Sequence, residues 1–316
     1  MRAFVFPGQG SQFVGMGRAL AEALEPARLV LDEVDDALDR RLSRLMFDGP
    51  EEELRLTENA QPALLAAALA VVRVIETEGG FRLADRCAFV AGHSVGEYSA
   101  LAAVGSLALG DAVRLVRRRG RAMQRAVPVG EGAMAAVLGI DLDAAKAIAL
   151  AAADGAVCTA ANDNAPGQIV ISGARAAVER AIEIAPGHGA RKCIELPVSA
   201  PFHCALMAPV ADVMAEALAE VEVAVPGVPL VSNVTVEAVS EPDEIRRLLV
   251  EQVTAMVRWR ECVLYLRDHG VETIAELGPG SVLSGLNRRI DRDLVGVSVA
   301  TPAEVESFLK TMSSAA

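Results

Sequence analysis

The sequence predicts an α/β fold: a larger domain on a parallel-rich sheet, with a small βαββαβ domain inserted in its middle. Three observations lead there. Short apolar segments at residues 3–6, 87–91, 230–233, 273–276 and 294–299 alternate with helix-compatible stretches, the pattern of a sheet covered by helices. The texture changes at Pro128-Val129-Gly130, where a basic helical run gives way to a compact succession of short elements. From residue 132 to 196 those elements follow the order of a ferredoxin-like module. The larger domain is therefore discontinuous, residues 1–127 and 199–316, and the small domain spans residues 128–198.

The first strand, residues 3–6, runs into Phe6-Pro7-Gly8-Gln9-Gly10-Ser11-Gln12. Gly8, Gly10 and Gly15 do not make G-x-G-x-x-G, and no Gly-Lys-Ser/Thr occurs, so a nucleotide cradle is a weak reading. Gln9, held between glycines at a strand end, is placed to present a backbone N–H or its amide to a site.

The strand at 87–91 leads into Gly92-His93-Ser94-Val95-Gly96 and then into a helix-compatible run from Glu97 to Ala103. G-x-S-x-G between strand and helix is a nucleophile elbow: the glycines permit the sharp turn, and the helix N-terminus offers unpaired N–H groups to an oxyanion. The bland alternative is a glycine-rich turn with an incidental serine.

Residues 111–127 carry an acid at the start and no proline, and read as one helix. At about 100° per residue, Ala112, Val113, Val116, Gly120, Met123 and Val127 share an apolar face. Arg114, Arg118, Arg121 and Arg125 fall opposite, with Arg117 on the flank. Arg119 falls at the edge of the apolar stripe. A guanidinium turned inward cannot shed its charge and needs an anionic partner, either a structural acid or a substrate carboxylate. The outer arginines form either a solvated face or a dock for an acidic partner.

In the insert, the elements are a strand at 133–139, a helix opened by Asp141 and Asp143, and a strand at 157–161. An Asn-Asp-Asn-Ala-Pro-Gly turn, a strand at 168–172, a helix from Ala174 and a strand at 192–196 follow. Beyond it, Pro197-Val198-Ser199-Ala200-Pro201-Phe202-His203 approaches a helix over 204–219. An imidazole at a helix N-terminus stays neutral more readily, as a general base requires, so His203 serves either catalysis or helix capping. His93, His188 and His269, the remaining histidines, read as structural.

Composition narrows the function classes. A net charge of −12, from 42 acidic and 30 basic residues, and an aromatic content of 3% argue against nucleic acid and membrane partners. No leader and no uninterrupted apolar run of spanning length is seen, so a cytoplasmic protein is expected. The five cysteines, Cys87, Cys158, Cys193, Cys204 and Cys262, show no C-x-x-C and read as reduced core residues, with no metal site expected.

The first loop, the elbow with Glu97 and Tyr98, the Arg119 helix, the approach to His203 and Glu276-Leu277-Gly278-Pro279-Gly280 together resemble the malonyl-CoA:acyl carrier protein transacylases, in that family's order and across almost the whole chain. The resemblance implies a hydrolase-like large domain carrying a ferredoxin-like small one. It implies that Ser94 is the nucleophile and His203 the base, that the backbone N–H groups of Gln9 and Val95 form the oxyanion hole, and that Arg119 holds the malonyl carboxylate. The backbone carbonyl of Gln252 would orient the histidine in place of an aspartate. Val95 stands where many relatives have leucine, and Phe202 resembles the malonyl-selective members. The substrates implied are malonyl-CoA and phosphopantetheinylated acyl carrier protein, with no bound cofactor and a malonyl-serine intermediate, serving fatty acid or polyketide synthesis. The carrier is acidic in this family, which points to Arg117 and Arg121 as part of its landing surface. Two rivals are weighed: a serine esterase or thioesterase that would share Ser94 and His203 but transfer the acyl group to water, with Arg119 discriminating, and a non-catalytic carrier-binding or scaffold module that retains the fold.

Overall fold

The computed structural model describes residues 1–128 and 130–313. Ten strands run in chain order among them: β1 (Arg2–Phe6), β2 (Phe89–Gly92), β3 (Gly132–Leu138), β4 (Cys158–Ala165), β5 (Gln168–Ala174), β6 (Lys192–Glu195), β7 (Leu230–Val231), β8 (Ala238–Val239), β9 (Thr273–Leu277) and β10 (Val295–Val299). They form two sheets, ordered β10-β9-β1-β2-β7-β8 and β4-β5-β3-β6. The larger is parallel except for the β7–β8 pair. The smaller is antiparallel throughout.

Strand β1 lies centrally, and Ala3, Phe4, Val5 and Phe6 are fully buried, as expected of a parallel strand covered on both faces. Its register pairs Phe6 with Gly92, so β1 and β2 end level and their loops leave the sheet side by side. Chain connections diverge there, the usual place for a site in an open parallel sheet. Against one face packs the helix Thr57–Gly79. It is the one described helix long and apolar enough to cross a membrane, and 83% of that apolar stretch is buried within the fold, as a core helix requires.

The smaller sheet carries the helices Leu142–Ala153 and Arg175–Ile184, whose Ile148, Ala149, Val178 and Ala181 pack on Ile169 and Ile171. Asp141 caps the first of them by accepting from the Ala144 N–H at 2.8 Å. Met134, Val170 and Ala136 belong instead to the core shared with the larger unit. Of the expected boundary at 128–130, Val129 lies outside the described residues.

Several expectations are corrected. The Asn-Asp-Asn segment is strand, not turn: β4 continues to Ala165 through two register shifts, leaving Pro166-Gly167 as the turn. The larger unit takes up part of this polar segment: buried Asp163 pairs with Arg260 at 2.7 Å, and Val257 bridges the backbone at Asn162. Strand β2 starts at Phe89, not 87, and β7 stops at Val231, while the two-residue β8 carries no alternation that would reveal it. After His203 comes a 3-10 turn, Ala205–Met207, and the α-helix begins only at Ala208.

Candidate active site

Gly92 ends β2, and the helix Gly96–Ala103 begins four residues later. A Cβ on Gly92 would lie 1.9 Å from the carbonyl carbon of Gly96, and one on Gly96 would lie 2.2 Å from the Phe6 oxygen. Only glycine fits at either place. Between them Ser94 takes the left-handed conformation, φ 52°, which non-glycine residues rarely adopt. The turn is braced from β7: the Ser94 N–H donates to Asn233 Oδ1 at 2.8 Å, and Asn233 Nδ2 donates to the Gly92 carbonyl at 2.8 Å.

Ser94 Oγ lies 2.8 Å from His203 Nε2. On the other ring edge, Nδ1 lies 3.0 Å from the Gln252 carbonyl and 3.1 Å from that of Ala255. Two carbonyls can only accept, so Nδ1 carries the proton and Nε2 of the neutral ring is left to accept from the serine hydroxyl. Burial, and then the charge of Arg119, push the His203 pKa down to about 3, against the opposing pull of those carbonyls. The ring is thus neutral at physiological pH. The cause is not the helix terminus inferred from sequence, since the 3-10 turn separates His203 from the α-helix.

Arg119 projects from the helix Leu109–Ala126 and is 1% exposed. Nη2 donates to Ser94 Oγ at 3.1 Å and to Gln252 Oε1 at 2.9 Å, and Nη1 donates to Gln61 Oε1 at 3.0 Å. Its guanidinium also lies 5.9 Å from the centroid of the Tyr98 ring. Among the described residues no carboxylate pairs with it. A buried cation held only by neutral groups leaves an electrostatic demand that an incoming anion can meet. The cavity beside it, about 320 Å³, is lined by Ser94, His203, Arg119, Gln9, Val95 and Phe202 together with Met134 and Leu196 of the smaller sheet unit.

Gln9 donates from its amide to Thr57 Oγ1 at 3.3 Å, and Thr57 in turn shares a hydrogen bond with Ser199 at 2.7 Å. The backbone N–H groups of Gln9 and Val95 reach no protein acceptor among the described residues. Arg117 and Arg121 lie elsewhere, in a groove of about 630 Å³ that also includes Arg114, Arg118 and Arg125. There Arg117 donates to the Leu38 carbonyl at 3.0 Å, and Arg121 pairs with Glu58 at 2.8 Å. His93 lines the main cavity, packs on Trp259 and meets Asn164 Oδ1 at 2.8 Å. His269 stacks on Tyr265, and His188 ends a 3-10 turn. All five cysteines are free, and no group of three metal-ligating side chains is found among the described residues.

Sequence reasoning misses four polar side chains that complete the cluster: Gln61, Glu97, Asn233 and the amide of Gln252. Glu97 is fully buried, accepting from the Asn233 N–H at 2.6 Å and from Gln252 Nε2 at 2.5 Å, and burial pushes its pKa up to about 7. One signal is available. Glu97 sits in an apolar helical run directly after the elbow, and Asn233 follows a parallel strand at its carboxyl end, where sites form.

The arrangement can move one proton between a hydroxyl and an imidazole beside a fixed cation, in a cavity that Gln9 and Val95 also line. The acyl transferase domain family matches residues 3–305. A malonyl CoA-acyl carrier protein transacylase of Bacillus subtilis (strain 168) is 45% identical over 311 residues, 98% of this chain and 96% of that relative. An acyl-carrier-protein-S-malonyltransferase structure from Bartonella henselae superposes with a TM-score of 0.96 at 51% identity, over 99% of each chain. A structure of a type II PKS acyl-carrier protein in complex with its malonyl-transacylase gives a TM-score of 0.95 at 42% identity, over 98% of this chain and 99% of that one.

Proposed function

Since the chain belongs to the acyl transferase domain family, and within it to the malonyl CoA-acyl carrier protein transacylases, we propose that its Ser94, His203 and Arg119 carry out malonyl transfer. The enzyme is an acyltransferase that moves the malonyl group from malonyl-CoA to the phosphopantetheine thiol of acyl carrier protein, for fatty acid or polyketide synthesis, with no cofactor in the reaction. One observation carries the assignment of residues: a buried guanidinium without an acid partner lies 3.1 Å from the hydroxyl that the histidine activates.

In this reading Ser94 Oγ attacks the thioester carbonyl and its proton passes to His203 Nε2. The N–H groups of Gln9 and Val95 stabilise the oxyanion. The carbon–sulfur bond breaks, the CoA sulfur takes the proton back from Nε2, and malonyl remains as an ester on Ser94 Oγ. The carrier thiol then gives its proton to Nε2 and attacks the ester, and Ser94 Oγ recovers the proton as its bond to carbon breaks. The Gln252 carbonyl holds the Nδ1 proton through both halves, in the place an aspartate takes elsewhere. A bound malonyl carboxylate also neutralises Arg119, whose charge helps to hold the basicity of His203 down. Arg119 therefore serves both selection and proton transfer.

The same reading takes residues 128–198 as a ferredoxin-like domain inserted in a hydrolase-like one of residues 1–127 and 199–316. Its support is the antiparallel order β4-β5-β3-β6 with both helices on one face, against a parallel sheet bearing the elbow. Arg117 and Arg121 are proposed as part of the carrier dock, and a cytoplasmic location belongs to this reading. The rival hydrolase is tested by acceptor competition. With acyl carrier protein present, malonyl released from the enzyme should appear on the carrier thiol in preference to water; free malonate as the main product at saturating carrier would favour the hydrolase.

A further inference from the structure

Glu97 is an acid in the interior whose oxygens are used up by groups that reach the nucleophile. Oε1 accepts from the Asn233 N–H, and the Asn233 side chain holds both the Ser94 N–H and the Gly92 carbonyl. Oε2 accepts from Gln252 Nε2, which also donates to the Ser94 carbonyl at 3.0 Å, while Gln252 Oε1 accepts from Arg119. No cation pairs with Glu97 among the described residues. For packing alone an apolar side chain would serve at lower cost.

The polarity of this chain is fixed by its ends. A guanidinium only donates, and a backbone carbonyl only accepts, so the Gln252 amide has one orientation that satisfies Arg119 and Ser94 together. Glu97, when ionised, only accepts, and reinforces that orientation. Rotating the amide by a half-turn would set nitrogen against nitrogen at Arg119 and oxygen against oxygen at both Glu97 and Ser94.

We propose that Glu97 is a positioning residue: through the amide of Gln252 it holds the guanidinium of Arg119 where it discriminates the acyl carboxylate from neutral acyl groups. This rests on the assignment of Ser94 and Arg119 made above.

Glu97→Gln tests it. The substitution keeps shape but brings a donor, so one of the two partners, Asn233 N–H or Gln252 Nε2, must lose its acceptor. The readout is the ratio of kcat/KM for malonyl-CoA over acetyl-CoA at about pH 8, on the ionised side of the raised pKa of Glu97. The expected fall in the ratio is about ten- to hundredfold, carried by a rise in KM that is larger for malonyl-CoA than for acetyl-CoA. Gln252→Met should give a similar fall, and Glu97→Gln/Gln252→Met no more than either alone, since the two act in series. A ratio that does not move in Glu97→Gln, even with both thioesters slowed equally, would overturn the proposal, as would a double variant showing the sum of the single effects. Should Glu97→Gln not fold, Glu97→Asp keeps the charge but withdraws it by one methylene; a lowered ratio there supports the positioning role, and an unmoved one overturns it. Arg119→Ala, run alongside, keeps the two readings apart: an unmoved ratio there sinks the carboxylate role itself, whereas a moved ratio there with an unmoved one in the Glu97 variants sinks only the positioning role.

Discussion

Replacing Arg119 by alanine separates the recognition of a carboxylate from the chemistry of the nucleophile. The two terminal nitrogens of Arg119 now donate to Gln61, Gln252 and Ser94, and all three acceptors are neutral. A bidentate pair with a malonyl carboxylate would add charge-assisted hydrogen bonds, each worth about 1.5–3 kcal/mol in a buried site. Losing two of them costs about 3–6 kcal/mol, or about a hundred- to ten-thousandfold in kcat/KM for malonyl-CoA. Acetyl-CoA brings no anion and so loses none of these pairs, while the loss of the Arg119 contact to Ser94 and of its charge beside His203 falls on both thioesters alike. The ratio of the two kcat/KM values, measured on the same preparation, cancels general damage to the fold. It should fall by at least about a hundredfold. A ratio that stays within about threefold of the parent would refute the carboxylate role and leave Arg119 a structural cation.

Three further outcomes follow from the geometry. His203 has its pKa depressed to about 3 from an unfolded value of about 6.5, so the stability gained by keeping it neutral is complete above the unfolded value and is lost as pH falls toward the folded one. Nitrogen-15 shifts of the imidazole in Ser94→Ala should show Nδ1 protonated and Nε2 bare from about pH 8 to about 5, and a titration centred near the ordinary histidine value would contradict this. Arg117→Glu with Arg121→Glu should raise the KM for acyl carrier protein while leaving acylation by malonyl-CoA intact; equal loss in both half-reactions would remove these residues from the dock. Gly92→Ala drives a methyl into the backbone of Gly96 and should cost at least about 3 kcal/mol in urea unfolding, so an unchanged midpoint would mean that the elbow is less tightly packed than this contact requires.

What can be read from the chain, and what cannot, divides along the range of the interactions. Strand β1 is a near-continuous apolar run because both its faces are buried, and its position follows from local pattern alone. The placement of Arg119 against the core follows from angular arithmetic on one helix, and its burial agrees. The polar end of β4 is invisible to local pattern because Asp163 is satisfied by Arg260, 97 residues away, which no alternation encodes. The same holds at the site. Gln252 meets Arg119 across 133 residues and Glu97 across 155, and a glutamine in a loop has no period that marks it as buried. The neutrality of His203 follows from sequence for the wrong reason: a helix terminus is legible there, whereas burial beside another buried charge exists only after folding.

The central claim is that malonyl rests covalently on one oxygen between donor and acceptor. Intact-mass and peptide-level spectrometry, after brief mixing with malonyl-CoA and then with phosphopantetheinylated acyl carrier protein, observes that oxygen directly. The expected result is an ester confined to Ser94, absent from Ser94→Ala, and discharged onto the carrier thiol at a rate that keeps pace with turnover. Full transfer to the carrier with no ester on Ser94 at any time, or an ester that the carrier leaves in place, would contradict it.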